Sequence, residues 1–180
     1  MRKLAIITAL LLAAGSANAG TVVPPFLEGS LFHKNYIETD IDPLLLYSIS
    51  LAESAYKRDK INVGPSKYAL QHDGKSYYPN NKAEASKILD ELLSSGAKNI
   101  DVGLMQVNLL WNGKRVKSPY DLFDPTTNIN VASDILLEAM LSSPDDIKLA
   151  IGRYHNWTDP VKGMNYANRV LRIYTNINQY

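Results

Sequence analysis

One carboxylate stands where carboxylates are costly. The stretch from Asp42-Pro43 through Leu44, Leu45, Leu46 and Ile49 to Ala52-Glu53-Ser54-Ala55-Tyr56 reads as a helix that is apolar on nearly every face. Asp42 caps its start and Pro43 occupies its first turn, where a missing N–H costs nothing. Leu46, Ile49 and Glu53 share one stripe at spacings of three and four, so the only acid inside the helix points where core residues point. Desolvation there disfavours the ionised form and raises the pKa, which a general acid working near neutral pH requires. The alternative is a solvated Glu53 at a fraying helix end.

Two further stretches place polar groups among apolar ones. In Asn99-Ile100-Asp101-Val102-Gly103-Leu104-Met105-Gln106-Val107-Asn108, Gly103 permits a close backbone approach, while the amides of Gln106 and Asn108 need partners that either a ligand or the backbone can supply. In Gly152-Arg153-Tyr154-His155-Asn156-Trp157, donors, acceptors and flat apolar faces form the mixture a carbohydrate site uses. His155 by itself reads as a packed or dipole-stabilised residue near a helix end. His33, His72 and His155 are the only histidines and none pairs with Glu at helical ligand spacing, so no zinc site, and no cofactor, is expected.

The elements that must position these residues are punctuated by capping side chains before prolines. Ser118-Pro119, Asp124-Pro125, Ser143-Pro144 and Asp159-Pro160 repeat the Asp42-Pro43 pattern, and the periodic segments predict helices over roughly 125–141, 144–154 and 160–174. Asn81 caps another, over 82–95, with Ala85, Ile88, Leu89 and Leu92 on one face and Gly96 as its stop. Asp73-Gly74 predicts a small hairpin, in which Tyr77 and Tyr78 either pack or line a sugar groove. Lys57-Arg58-Asp59-Lys60 reads as a solvated turn, and residues 20–40 as an arm with no function of its own. The expectation is a mainly α domain with one small hairpin.

Composition sets the remaining bounds. Met1-Arg2-Lys3, the apolar run Leu4 to Ala14 and Ala17-Asn18-Ala19 form the charged, apolar and cleavage regions of a signal peptide over 1–19. The expected product is a soluble periplasmic monomer with no membrane span. With no cysteine in its 180 residues the chain has neither disulfide nor thiol nucleophile. Removing Arg2 and Lys3 leaves 17 basic against 18 acidic residues, which gives no support to a nucleic-acid partner.

Taken in order, Ala52-Glu53-Ser54, then Gly103-Leu104-Met105-Gln106, then Leu122-Phe123-Asp124-Pro125 to Asn128-Ile129, then Tyr154-His155-Asn156 resemble the soluble lytic transglycosylase family, over about Ile41 to Tyr174. The resemblance implies a lysozyme-like (α+β) helical domain over 41–180. It also implies non-hydrolytic cleavage of the β-1,4 bond between N-acetylmuramic acid and N-acetylglucosamine in peptidoglycan glycan strands, leaving 1,6-anhydro ends. Glu53 would be acid and base in turn, Ser54 would support it or the substrate, and Met105, Gln106 and Asn108 would line the groove. Tyr154 would orient the carboxylate or the sugar, with Tyr166 on the same wall. Asn156 joins them as a substrate-binding candidate, in a segment that departs from the family's usual Tyr-Asn-Ala-Gly. The long interval between Glu53 and Gly103 looks most like the small members attached to conjugation or type IV and type III secretion machines, whose subunits would be partners.

A two-carboxylate glycosidase needs a second acid facing the first at about 5 to 9 Å. Asp59, Asp73 and Asp101 are candidates, but each suits a turn or cap better. The alternatives carried forward are a hydrolytic lysozyme-like muramidase and a non-catalytic periplasmic assembly factor.

Overall fold

The structure, a computed structural model, describes residues 21–57 and 63–178. The expected signal peptide and the Arg58-Asp59-Lys60 part of the charge run lie outside them. The chain divides into two compact units, one formed by residues up to 45 together with those from 136 onward, the other by residues 46–135.

In the first unit, Ser30 caps a helix that the sequence reading assigned to a plain arm: α1, Leu31–Thr39, which buries Phe32 and Asn35 and ends at Asp40 with φ 61°. Asp42 caps α2 (Pro43–Ser54) as expected, its Oδ1 accepting from the Leu44 N–H at 2.8 Å. Its Oδ2 accepts from the Tyr174 hydroxyl at 2.6 Å; burial first, then this bond, raises the Tyr174 pKa. Helices α6 (Ile147–His155) and α7 (Pro160–Ile177) cross at two glycines: a Cβ on Gly152 or on Gly163 would meet the other's backbone at 3.0 Å. Asp159 caps α7 as expected. The start of α6 differs from expectation, because the Ser143 hydroxyl donates to the Ala139 carbonyl and Asp146 takes over as cap, accepting from Leu149 N–H.

The second unit carries the strands. Helix α2 stops at Ser54, and Tyr56, expected inside it, lies in β1 (Ala55–Lys57), antiparallel to β2 (Val63–Pro65). The Ser54 carbonyl accepts from the Ser66 N–H at 3.1 Å instead of a helical donor, which turns the chain into the ladder. Strands β3 (Leu70–His72) and β4 (Lys75–Tyr77) form the expected hairpin, with Asp73 and Gly74 at φ 50° and 75°. The β part exceeds one hairpin, however: β5 (Asp101–Val102) and β6 (Val107–Asn108) extend it to a sheet of order β4-β3-β5-β6. Helix α3 (Lys82–Ser94) is capped by Asn81 and buries Ala85 and Leu89. A single turn, α4 (Leu109–Asn112), follows β6, and α5 (Pro125–Leu141) begins here, with Asp124 Oδ1 accepting from Thr127 N–H. The fold is mainly α with a small antiparallel part. Among the described residues no helix is long and apolar enough to cross a membrane.

Candidate functional site

The four residues between β5 and β6 form a turn held from three sides. Gly103 has φ 82° and Gln106 φ 47°, and the Gln106 N–H donates to the Gly103 carbonyl at 3.1 Å. A left-handed glutamine is strained, and such backbone persists where its surroundings over-determine it. Here they do. The fully buried Asn128, one turn into α5, accepts from the Met105 N–H at 2.8 Å and donates to the Val102 and Leu122 carbonyls at 2.9 and 3.0 Å. Gly103 is what lets the amide in, since a Cβ there would lie 2.2 Å from Asn128 Nδ2. Gln106 Nε2 donates to the carbonyls of Gly103, at 2.7 Å, and Ala69, at 3.2 Å. Both bonds use the NH2 end, which leaves Oε1 as the acceptor the side chain can offer a ligand.

The end of α2 is tied to this turn. The Ser54 hydroxyl donates to the Leu104 carbonyl at 2.7 Å and accepts from the Ser66 N–H at 3.1 Å. Glu53 is the residue before it, in the last turn of the helix and half-buried. It is therefore neither a core residue nor a frayed one: Leu46 and Ile49 on its stripe have no exposed surface, while Glu53, in the last helical turn, is half-buried next to the residue that bonds the Gly103–Gln106 turn. Ser54 is buried with its hydroxyl committed on both sides, a support rather than a substrate contact. Met105, expected to line a groove, is fully buried and belongs to the core beneath the turn.

Asn108 is likewise occupied within the chain. Its Nδ2 donates to Asp101 Oδ1 at 2.7 Å and to Asn99 Oδ1 at 2.6 Å, and its Oδ1 caps α4 by accepting from the N–H groups of Leu110 and Trp111. Asp101 and Asn108 face each other across the β5–β6 ladder. This pair closes the hairpin that carries the Gly103–Gln106 turn. Burial raises the Asp101 pKa, and the Asn108 bond works against that rise. Of the other acids weighed as a second carboxylate, Asp73 is in the β3–β4 turn and Asp59 lies outside the described residues.

Tyr154, Asn156 and Tyr166 belong to the other unit. Asn156 follows α6, its Oδ1 accepting from the N–H groups of Thr158 and Asp159 at 3.1 and 2.8 Å, which shapes the link to α7. Tyr166 is buried under the His155 ring, 4.3 Å away and parallel within 6°, and the half-buried Tyr154 ring lies 6.5 Å from it. Partial burial of His155, then the charges of Arg169 and Lys162, push its pKa below the usual histidine value.

Asn128 is the residue the sequence reading passed over as a possible support for the site. Its signal was available: an amide among Ile129, Val131 and Ala132 on a helix has to be satisfied by something. Among the described residues no group of three or more His, Cys, Asp or Glu side chains is arranged to hold a metal.

Comparison with known families matches residues 30–168 to the transglycosylase SLT domain. No curated protein and no solved structure matches the chain.

Proposed function

Because the chain belongs to the transglycosylase SLT domain family, whose activity is of the peptidoglycan-cleaving, lytic transglycosylase type, we propose that it is an exported lytic transglycosylase in which Glu53 is the single acid/base. The glycosidic C1–O4 bond between N-acetylmuramic acid and N-acetylglucosamine breaks as Glu53 gives its proton to O4. The muramoyl O6 then closes on C1, and its proton returns to the Glu53 carboxylate. No water enters. The sugar's own N-acetyl group can stabilise the charge at C1 between the two steps, so a second carboxylate is not needed.

The observation that carries this reading is the bond from Ser54 to Leu104, which couples the Glu53 end of α2 to the Gly103–Gln106 turn. A group that protonates and deprotonates the same substrate must keep its place through both transfers, and tethering the helix end to a strained, over-determined turn serves that need. Gln106 Oε1 is the substrate contact beside Glu53 in this account, and Tyr154, with Tyr166 and Asn156, is the carbohydrate-binding candidate of its own unit. Ser54, Met105 and Asn108 hold the framework. The use of Asp101 to hold Asn108 argues against a hydrolase that would need it as a second carboxylate.

Residues 1–19 support a periplasmic place of action, and the long interval between Glu53 and Gly103 supports service to a conjugation or secretion machine. Mass spectrometry of products released from purified peptidoglycan tests the chemistry. Anhydro-muropeptides are expected; products heavier by one water would make the protein a hydrolase.

A further inference from the structure

Strand β1 leaves α2 without a linker, so Tyr56 follows Glu53 by only three residues, a reach of at most about 11 Å. Its ring stacks on that of Tyr78, centroids 4.6 Å apart and planes within 16°. Tyr78 follows β4, so the stack braces the β1–β2 hairpin against the end of the β3–β4 hairpin. One face of Tyr56 is covered by this contact, yet the residue remains 41% exposed. Its partner across the ladder is Gly64, where a Cβ would meet no atom within 4 Å. Directly opposed residues of an antiparallel pair project to the same side. Among the described residues, then, nothing fills the position beside Tyr56 where a Gly64 side chain would stand.

From this geometry we infer that the outer face of Tyr56, with the gap over Gly64, is a seat for one pyranose ring of the glycan strand, at a subsite next to the Glu53 carboxyl. The inference rests on the reading of Glu53 as the reacting acid. A β-1,4-linked amino sugar presents a flat face of axial C–H groups, which an aromatic face binds with little further ordering once its own rotamer is fixed. Tyr78 supplies that fixing. Tyr77, the other aromatic of the hairpin, has the Lys75 Nζ 4.7 Å from its ring centroid, so the ring offered to a ligand is Tyr56.

The test measures the binding of a β-1,4-linked N-acetylglucosamine tetramer by calorimetry and the KM and kcat for peptidoglycan cleavage, on the mature chain and three variants. Tyr56→Ala removes the face and is expected to weaken binding and raise KM about tenfold, the scale of one stacking contact, with a smaller change in kcat. Tyr56→Phe keeps the ring and recovers most of that loss. Gly64→Leu fills the gap; since Gly64 has open space around it, the variant folds and is expected to lose binding to a similar degree. Folded Gly64→Leu and Tyr56→Ala proteins that bind and cleave like the parent overturn the seat while leaving the Glu53 chemistry intact. A parent protein that neither cleaves peptidoglycan nor binds the tetramer overturns both.

Discussion

The Ser54 hydroxyl donates to the Leu104 carbonyl across fifty residues of chain, at 2.7 Å and out of reach of solvent. This one bond joins the helix that carries Glu53 in its last turn to the turn that presents Gln106. Replacing Ser54 by Ala leaves the buried Leu104 carbonyl to find another donor, while the Ser66 N–H keeps the Ser54 carbonyl, so it is expected to cost about 1–3 kcal/mol of stability by urea unfolding. The same substitution is expected to lower kcat more than it raises KM, because the carboxyl is displaced while the rest of the substrate surface stays.

Gly103 and Asn128 are coupled by contact. Gly103→Ala puts a methyl 2.2 Å from Asn128 Nδ2 and 2.7 Å from the Leu122 carbonyl at a φ of 82°, and should destabilise by about 3 kcal/mol or more. Asn128→Ala strands the Met105 N–H and two carbonyls and should cost a similar amount. In the double variant the overlap with the amide disappears, so the two costs are expected to sum to more than the measured loss. Strict additivity in a denaturation cycle would contradict the contact.

Asp101 makes stability depend on pH in a direction opposite to that of most paired carboxylates. Its folded pKa is raised above the unfolded value by burial, so the folded state holds the proton more tightly. The stability this contributes is fully present below the unfolded pKa and is lost as pH rises through the folded one. Asp101→Asn can still accept the Asn108 bond, so it should flatten the unfolding free energy across that acid window without weakening the protein at neutral pH. A slope unchanged from the parent would remove Asp101 as its source.

The crossing of α6 and α7 depends on the absence of two side chains. Gly163→Val would drive a branched side chain into the Gly152 backbone, now 3.0 Å from where its Cβ must lie, and should cost about 2–3 kcal/mol. Thermal unfolding measures this directly.

What could be read in the sequence was the local chemistry. Asp42, Asn81 and Asp159 as caps and Asp73-Gly74 as a hairpin turn depend on a side chain and a backbone a few residues away, and each stands where its sequence put it. Four features were hidden, two by distant partners and two by short or blurred patterns. Tyr56 left the helix because Ser54 bonds to Leu104 and Ser66, partners beyond any local window. Strands β5 and β6, two residues each, are too short to show alternation. The cap of α6 moved to Asp146 because Ser143 is drawn back to the preceding helix. Helix α1, nine residues long, buries Asn35 and exposes Ile37, which blurs the apolar period a sequence reading depends on. At the candidate site, Glu53, Ser54 and Gln106 were visible as types in an order, whereas the burial of Met105, the engagement of Asn108 and the support from Asn128 are properties of packing.

The central claim is that Glu53 alone moves both protons, and a digest of purified peptidoglycan by the mature protein and by its Glu53→Gln form tests it most directly. The glutamine keeps the shape and cannot donate or accept the proton, so the account predicts anhydro-muropeptides from the parent and a loss of at least about a hundredfold in their release by the variant. Undiminished anhydro-muropeptide release by a folded Glu53→Gln protein would contradict it.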